Sequence, residues 1–373
     1  MRVLFVAGRE LTYARNDVLL RALRRCAQVD TIAPPAPPAS LAAASSIVAT
    51  QAAARLARGR YDLVVVGFYG SLILPLLRPL TRAPILFDAF VSNYDTLAFD
   101  RGAFAPDSAR GRLALALDRI PCALADHVLL DTHAHVDYFV DTLGIARHKL
   151  EALPVGCSEE LFHPAPQPAT ALGTVLYYCT YLPLHGVETV LYAASYLQAQ
   201  AVQFRLIGDG PLRPAMEALA HALRLRNTTF LPSMPAPQIA HELRQADICL
   251  GGHFGPSAKA QRTIPGKLYQ MLAAQRVVIA SDSPANRELL VHNESAWLLP
   301  PQDPPALALA IMALQRDAAL RARLAAGGRR AYVSHASEAV IAARVRSMVS
   351  RLVPDAGLDA RDAPENSLTH RST

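Results

Sequence analysis

Several familiar sequence features are missing from this chain of 373 residues, and each absence narrows its function. The five cysteines lie far apart and include no CxxC pair, which argues against a disulfide framework and a zinc site. No apolar run reaches about 18 residues, so no transmembrane helix is expected. Clustered blocks of lysine and arginine are also missing, which argues against a nucleic-acid partner. Since Met1 leads directly into the strand-like RVLFVAG, we expect no signal peptide and a reducing, cytoplasmic location.

Acidic residues are missing from one particular segment of the chain. From Ile248 to Ser281 the chain contains no Asp or Glu, yet it contains Lys259, Arg262, Lys267 and Arg276. The sequence also lacks the dinucleotide fingerprint GxGxxG and a GKS or GKT phosphate loop, so neither motif explains these cations.

A helix is predicted from Pro265 to Ala274, because proline is favoured at the first helical position. The start of a helix carries partial positive charge, which makes neighbouring cations unfavourable. The conflict disappears if an anion docks there, held by free backbone N–H groups and by Lys259, Arg262 and Lys267. Gly266 would let that anion approach the backbone closely. The alternative is a solvated basic loop without a ligand.

The overall composition is that of a globular protein, with 51% hydrophobic and 18% charged residues. A chain of 373 residues is too long for one ordinary core, so two domains are expected. The net charge of +6 suits anionic ligands or an anionic membrane surface.

Short strand-like runs alternate with helical stretches along most of the chain, which predicts parallel sheets covered on both faces. We therefore predict an α/β fold of two doubly wound halves whose strands point their carboxyl ends at a shared cleft, where such sheets bind ligands. The predicted strands are RVLFVA, QVDTIAP, YDLVVVG, PILFDAF, DHVLLDT and KLEALPV, then TVLYYC, VQFRLIG, NTTFLP, ADICLGG, RVVIAS and AWLLP.

The predicted domain boundaries follow from a break between these two series. HPAPQPATALG, residues 163–173, is rich in proline and alanine and indicates a linker. We expect an amino-terminal Rossmann-like domain over 1–165 and a second one over 172–335. A carboxyl-terminal helix over 336–352 would pack back on the first domain, and 353–373 would form a disordered tail.

Two loops that follow predicted strands are candidate ligand contacts. Gly208 and Gly210 lie in a strand-to-helix turn whose small residues permit close approach, although a purely structural turn explains them equally well. His185 and Gly186 lie at a similar junction, where His185 is a candidate phosphate or sugar contact or else an ordinary surface residue.

The segment FDAFVSNYDTLAFDR, residues 87–101, is long, irregular and charged, as functional loops often are. Asp88 follows a strand and is expected to face the cleft. Asp95, Asp100 and Arg101 come after it, and the alternative is a surface loop with an Asp–Arg pair.

Two further segments give weaker signals. His133 and His135 are two residues apart, which places them on different helix faces and argues against a metal site. The apolar segment 70–87 carries Arg78 and Arg82, so it is either a buried helix with a loop or a segment that touches anionic lipid.

The carboxyl half resembles the family-4 retaining glycosyltransferases (glycosyl transferase group 1), which have the GT-B fold. The similarity lies in LIGDGPLRPAMEALA, ADICLGG, RTIPGKLYQMLA and SDSPANRELLVHNESAWLLPPQDPPALALAI. The amino half is similar to a bacterial branch of the family through FDAFVSNYDTLAFDR, LLDTHAHVDYFVDTLG and LPVGCSEELFHP. The resemblance covers about residues 1–335.

This resemblance implies that the carboxyl half binds a UDP- or GDP-type sugar donor and that the amino half binds a glycan or lipid-linked acceptor. It implies transfer with retention, in cell-surface polysaccharide biosynthesis, without a metal or other cofactor. Developing charge on the leaving diphosphate would be stabilised by fixed cations. Peripheral contact with the inner membrane face is an open alternative to a purely cytoplasmic location.

The resemblance also implies roles for single residues. Asp88, Arg262 and Lys267 are the expected catalytic residues. Gln270 would contact the ribose, Asp282 would border the sugar, and Glu288 occupies the usual position of a family glutamate. The other expected donor-binding residues are His185, Gly186, Gly208, Gly210, Lys259 and Gly266, and those on the acceptor side are Asp95, Asp100 and Arg101.

The chain departs from the family pattern at several of these positions. Arg262 and Gln270 stand where many members have two glutamates, and Thr180 and His185 stand where an arginine and a lysine are common. Gln270 can still donate and accept hydrogen bonds, but it carries no charge. Two alternatives therefore stay open: a catalytically silent nucleotide-sugar-binding or scaffold protein, and a sugar-nucleotide epimerase.

Overall fold

The computed structural model describes residues 1–165 and 173–354. Within them, the chain forms two six-stranded sheets in which every neighbouring pair of strands is parallel. Each predicted run contains its strand to within one residue, so the predicted pair of doubly wound halves is confirmed. The strands are β1 (Arg2–Val6), β2 (Gln28–Ile32), β3 (Leu63–Val66), β4 (Ile85–Phe90), β5 (His127–Leu130), β6 (Leu150–Ala152), β7 (Gly173–Tyr178), β8 (Val202–Ile207), β9 (Thr228–Leu231), β10 (Ile248–Gly252), β11 (Val278–Ser281) and β12 (Trp297–Leu299).

Helices connect the strands, and apolar clusters fill both faces of each sheet. The central strands β1, β3, β10 and β11 are buried because helices cover both faces, and their sequences are mostly apolar, whereas the edge strands β2 and β9 are partly exposed and more polar. The helices are α1 (Ala14–Arg24), α2 (Leu41–Arg58), α3 (Leu74–Leu77), α4 (Ala109–Leu124), α5 (His133–Asp141), α6 (Val187–Tyr196), α7 (Arg213–Ala222), α8 (Ala236–Gln245), α9 (Ala258–Arg262), α10 (Gly266–Ala273), α11 (Pro284–Arg287), α12 (Pro304–Arg316), α13 (Ala318–His335) and α14 (Glu338–Leu352).

The strand order creates a crevice outside the carboxyl ends of the strands in each sheet. The amino sheet runs β2-β1-β3-β4-β5-β6 and the carboxyl sheet runs β12-β11-β10-β7-β8-β9. The connections change direction between β1 and β3 in the first sheet and between β7 and β10 in the second. Loops leave these strands in opposite directions, and the crevice between them is the usual binding position in open α/β sheets.

The last described helix returns to the amino half. α14 packs against α1, and its Val345 and Met348 are completely buried in the apolar cluster of that half. Arg21 of α1 also forms an ion pair with Glu338 at the start of α14. Most of the predicted linker, 166–172, and most of the predicted tail, 355–373, lie outside the described residues. Among the helices of 1–165 and 173–354, none is long and apolar enough to cross a membrane.

Candidate functional site

A cavity of about 580 Å³ lies between the two halves and is called the central cavity below. Arg9, just after β1, and Tyr69, just after β3, line it from the amino half. Thr180, just after β7, and His253, directly after β10, line it from the carboxyl half. The central cavity therefore lies at the point where the connections change direction in both sheets, as the topology predicts.

The start of α10 opens into this cavity. Pro265 and Gly266 belong to the cavity wall, while Leu268, Met271 and Leu272 are completely buried and anchor the helix in the core. A β-carbon placed on Gly266 would meet no atom within 4 Å, so the space over the first turn is open. Because the first backbone N–H groups of a helix have no partner within it, they are available to an anion there.

Lys267 follows Gly266 in the first turn of α10 but is itself not part of the cavity wall. Its side chain is buried, its ammonium donates a hydrogen bond to the Tyr178 carbonyl (3.1 Å), and it lies 3.8 Å from the ring centroid of Tyr177. Within 1–165 and 173–354, no carboxylate forms an ion pair with it. Burial lowers the pKa of Lys267 to about 8, so the charge is held at neutral pH without a counter-ion.

Lys259 and Arg262 instead reach across to the amino half. The Lys259 ammonium donates to the Thr96 hydroxyl (2.6 Å) and still lines the central cavity. Arg262 forms an ion pair with Asp95 (2.6 Å), and its guanidinium carbon lies 4.4 Å from the ring centroid of Tyr138. Arg262 is not part of the cavity wall, and its expected contact with a diphosphate stays a prediction. The alternative of a solvated basic loop is wrong, because Lys259 is buried and Arg262 is paired.

Two histidines border the same space. His185 is only 9% exposed and lines the cavity, so its interpretation as a surface residue is wrong. Burial, aided by the charges of Lys267 and Lys259, lowers its pKa well below the usual value, and the ring is neutral. Its Nδ1 accepts a hydrogen bond from the Leu182 N–H (3.0 Å), which leaves Nε2 as a donor. His253, whose ring lies 5.4 Å away, also lines the cavity and was missed in the sequence.

Gly208 and Gly210, which both follow β8, serve mainly the packing of loops. A β-carbon on Gly208 would overlap the Cys179 carbonyl, and one on Gly210 would overlap the Thr180 carbonyl. Gly210 nevertheless lines the central cavity, whereas Gly208 does not. These two glycines therefore allow the β7 and β8 loops to touch.

Gly186 is also required by backbone packing. Its φ of +60° is left-handed, and a β-carbon would overlap the backbone of Phe254. It borders a smaller surface cavity beside Pro256 and lies outside the wall of the central cavity.

Asp88 does not face the cleft, which corrects its expected orientation. Its side chain is completely buried, and its carboxylate accepts hydrogen bonds from both Nε and Nη2 of Arg15 (2.8 Å each). Arg15 also donates to the backbone carbonyl of Leu153, just after β6. Arg15 therefore fastens α1 to β4 and to the chain after β6, two strands that flank β5, and sequence position alone did not reveal that the carboxylate turns inward.

The expected acceptor-side residues occupy three different environments. Asp95 and Asp100 begin and end a π-helical turn, a form that is frequent at functional sites. Asp95 is buried and forms its ion pair with Arg262 of the other half rather than with Arg101 of the same loop. Both carboxylate oxygens of Asp100 are buried without a hydrogen-bond partner among the described residues. Arg101 is exposed and lines the central cavity.

Gln270 and Asp282 do not belong to the wall of the central cavity either. The Gln270 side-chain carbonyl accepts a hydrogen bond from the Tyr178 hydroxyl (2.7 Å). Asp282 accepts one from Arg287 (2.8 Å) five residues further along the chain. The expected contacts of Gln270 with ribose and of Asp282 with the sugar stay predictions.

Glu288 connects the two halves at the start of α5. Its carboxylate accepts hydrogen bonds from the backbone N–H groups of His133 and Ala134, both at 2.8 Å. A negative charge at a helix amino terminus is favourable, so this contact stabilises the packing of the two halves. Glu288 is not part of the wall of the central cavity, and its expected donor contact stays a prediction.

Residues 173–317 match the family model described as Glycosyl transferases group 1, whereas no curated protein matches the chain in sequence. The structure is similar to sucrose-phosphate synthase from Thermosynechococcus elongatus, with a TM-score of 0.77, 17% identity, and coverage of 95% of this chain and 99% of that one. It is also similar to Anabaena HepE in complex with UDP and glucose, with a TM-score of 0.71, 14% identity, and coverage of 94% and 99%. A glycosyltransferase from Rickettsia africae gives a TM-score of 0.68 at 12% identity, with coverage of 95% and 99%.

The chain has the GT-B fold. In this GT-B structure, aromatic side chains that the sequence reading missed form the amino-half wall of the central cavity. Phe68 stacks on Tyr69 at 4.1 Å and packs edge-on against Phe90 at 4.9 Å. Tyr69 and Phe90 have φ values of +61° and +63°, which is unusual for bulky residues and is typical of functional sites. Their only sequence signal was their position at the ends of β3 and β4.

A metal site in the part of the chain that the structure describes would need several ligating side chains close together. Within 1–165 and 173–354, no three His, Cys, Asp or Glu side chains are arranged to hold an ion. His135 forms a buried pair with Asp131 instead (2.5 Å).

Proposed function

We propose that this protein is a retaining glycosyltransferase that moves a sugar from a UDP- or GDP-type donor to a glycan or lipid-linked acceptor. The observation that carries the proposal is the open start of α10 in the central cavity, with buried Lys267 in its first turn. A buried ammonium without a carboxylate partner is unfavourable unless an anion completes the site. The donor diphosphate is such an anion.

The proposed reaction needs positive charge where the donor breaks. The bond from the sugar carbon to the diphosphate oxygen would break, and the acceptor hydroxyl would attack from the same face. Its proton would pass to the departing phosphate oxygen, and no other reactant is required. The free N–H groups of α10, Lys267 and Lys259 would stabilise the developing negative charge, which is the largest contribution in many enzymes.

The two walls of the cavity suit different substrates. The cationic side belongs to the carboxyl half, whose residues 173–317 match Glycosyl transferases group 1. The fold neighbour HepE is described in complex with UDP-glucose, which supports a nucleotide-sugar donor on that side. The aromatic wall of the amino half would then receive the acceptor. Since lysines and helix N–H groups supply the positive charge, we propose a metal-independent cytoplasmic enzyme of cell-surface polysaccharide synthesis.

The test is a Gly266→Ala substitution measured by calorimetric titration with UDP, GDP and their sugar conjugates. The added methyl group meets no protein atom, so folding should be unaffected. It would enter the space proposed for the diphosphate, and binding should weaken by about tenfold or more. The control is Gly59→Ala, which follows α2 and would meet only the Arg2 side chain at 3.6 Å.

Nucleotide binding that is unchanged in Gly266→Ala would refute the placement of the diphosphate. Failure of the parent protein to bind any of these nucleotides would refute the proposed donor class. The Gly59→Ala protein should match the parent in both melting temperature and affinity.

A silent nucleotide-binding protein is the second candidate, because Arg262 and Gln270 are both engaged by protein partners. Tight binding without sugar release or transfer would favour this candidate. An epimerase would instead convert the sugar without an acceptor. Product analysis of the donor after incubation separates the three activities.

A further inference from the structure

An apolar and basic surface covers one side of the amino half and is called the α2–α4 face. It is built by α2, α3 and α4, which pack side by side through contacts of α3 with both neighbours. Three leucines are exposed here: Leu72 in the turn before α3, Leu76 in α3 and Leu80 in the 3-10 turn after it. They form a first exposed apolar stripe.

A second exposed apolar stripe runs along α4. Leu113 and Ile120 are 60% and 52% exposed, and Leu124 is exposed one turn further on. Spacings of seven and four residues place all three on one side of the helix. A single exposed leucine needs no explanation, but two adjoining stripes form a patch of the kind that marks a binding surface.

The segments that build the α2–α4 face carry mostly positive charge. From Thr31 to Phe87 the chain has five arginines and one carboxylate, Asp62. From Ser108 to Ala125 it has three arginines and one carboxylate, Asp118, which is buried. The arginines are Arg55, Arg58, Arg60, Arg78, Arg82, Arg110, Arg112 and Arg119, and the flanking carboxylates are Asp107 and Asp126, of which Asp126 pairs with Arg78.

We propose that the α2–α4 face docks on an anionic lipid bilayer. A bilayer surface accepts both features at once, because its acyl region receives leucine side chains and its phosphates attract arginines. A second copy of this chain would bring the same positive charges together, which disfavours self-association through this face.

The face also reaches the edge of the central cavity. Leu41, at the start of α2, is exposed and belongs to the cavity wall. Phe99 is exposed in the turn whose Leu97 and Arg101 line the cavity. Docking would therefore hold the cavity next to the membrane, where a lipid-linked acceptor lies; this last consequence rests on the proposed function.

The test is flotation of the full chain with vesicles of phosphatidylcholine, with and without phosphatidylglycerol. The parent should bind the mixed vesicles, and added salt should release it because its arginines are screened. The double variant Leu113→Glu/Ile120→Glu and the double variant Arg112→Glu/Arg119→Glu should each lower the bound fraction at least about tenfold. The control is Leu309→Glu on α12, a leucine that is 67% exposed on the carboxyl half and should bind like the parent.

Failure of the parent to bind the mixed vesicles at low salt would overturn the proposal, and so would equal binding by either double variant. Equal binding to pure phosphatidylcholine would overturn the role of the arginines. None of the four substituted side chains on α4 lines the central cavity, so nucleotide binding should be unchanged in both double variants. The proposal of membrane docking and the proposed donor site can therefore be refuted independently of each other.

Discussion

Replacement of Lys267 by methionine should stabilise the protein while weakening nucleotide binding. Methionine has a similar length and no charge, so it fills the same buried space beside Tyr177. A structural lysine would give the opposite pair of results, which makes Lys267→Met a sensitive test of the donor site.

The magnitude follows from the lowered pKa. A fall from 10.5 to about 8 means that the buried charge destabilises the folded state by roughly 3 kcal/mol. Lys267→Met also leaves the Tyr178 carbonyl without the lysine donor, which costs about 1 kcal/mol. We therefore expect a net stabilisation of about 2 kcal/mol at pH 7. Loss of a charge-assisted hydrogen bond to the diphosphate should weaken nucleotide binding by about ten- to a hundredfold.

The pH dependence gives an independent check. Because the pKa of Lys267 is lower in the folded state, the unfolded chain binds the extra proton between pH 8 and 10.5. The destabilisation is complete below pH 8 and fades as the pH rises to 10.5. Over the same window the stability advantage of Lys267→Met over the parent should fall by roughly 3 kcal/mol, from about +2 to about −1 kcal/mol, because the lost hydrogen bond still costs about 1 kcal/mol at high pH.

The assays are urea unfolding across this pH range and titration with UDP and GDP. Lys149→Met is the matched control, since Lys149 also donates to backbone carbonyls, those of Cys122 and Ala123 at the end of α4, away from the cavity. It should bind nucleotide like the parent and gain no stability. A Lys267→Met protein that is less stable than the parent and binds nucleotide equally well would refute the reasoning.

Two further substitutions test the corrected residues by urea unfolding. Asp88→Asn should lower the free energy of unfolding by about 3–5 kcal/mol because the buried Arg15 charge loses its partner, and a loss of nucleotide affinity without that destabilisation would contradict the assignment. Asp95→Asn should cost about 2 kcal/mol, since its carboxylate is buried and Arg262 is partly exposed. The more exposed i, i+4 pair of Asp17 with Arg21 makes Asp17→Asn a control with an effect under about 0.5 kcal/mol. Equal effects of Asp95→Asn and Asp17→Asn would show that the contact between the halves contributes little.

The acid-free window around α10 has a different explanation for each of its cations. Arg262 finds its counter-charge in Asp95, which lies 167 residues earlier and belongs to the other half. Lys259 reaches the same turn through Thr96. Arg276 donates to the backbone carbonyls of Ala165 and Ala274. Lys267 and Arg276 are both buried and both donate to backbone carbonyls, but only Lys267 lies in the first turn of α10, beside the open wall of the central cavity, so it is the cation to which we assign an anion.

The sequence by itself determined the two parallel sheets, because buried strands have continuous apolar runs and the intervening helices leave parallel pairing as the simplest connection. It also located the start of α10, since Pro265 marks a helix beginning locally. Only the tertiary structure decided which charges meet. Asp88 turns inward to Arg15, and His253 joins His185 beside the cavity. Such partners come from strands and loops far apart in the chain, and no local pattern encodes the direction in which a side chain leaves a strand end.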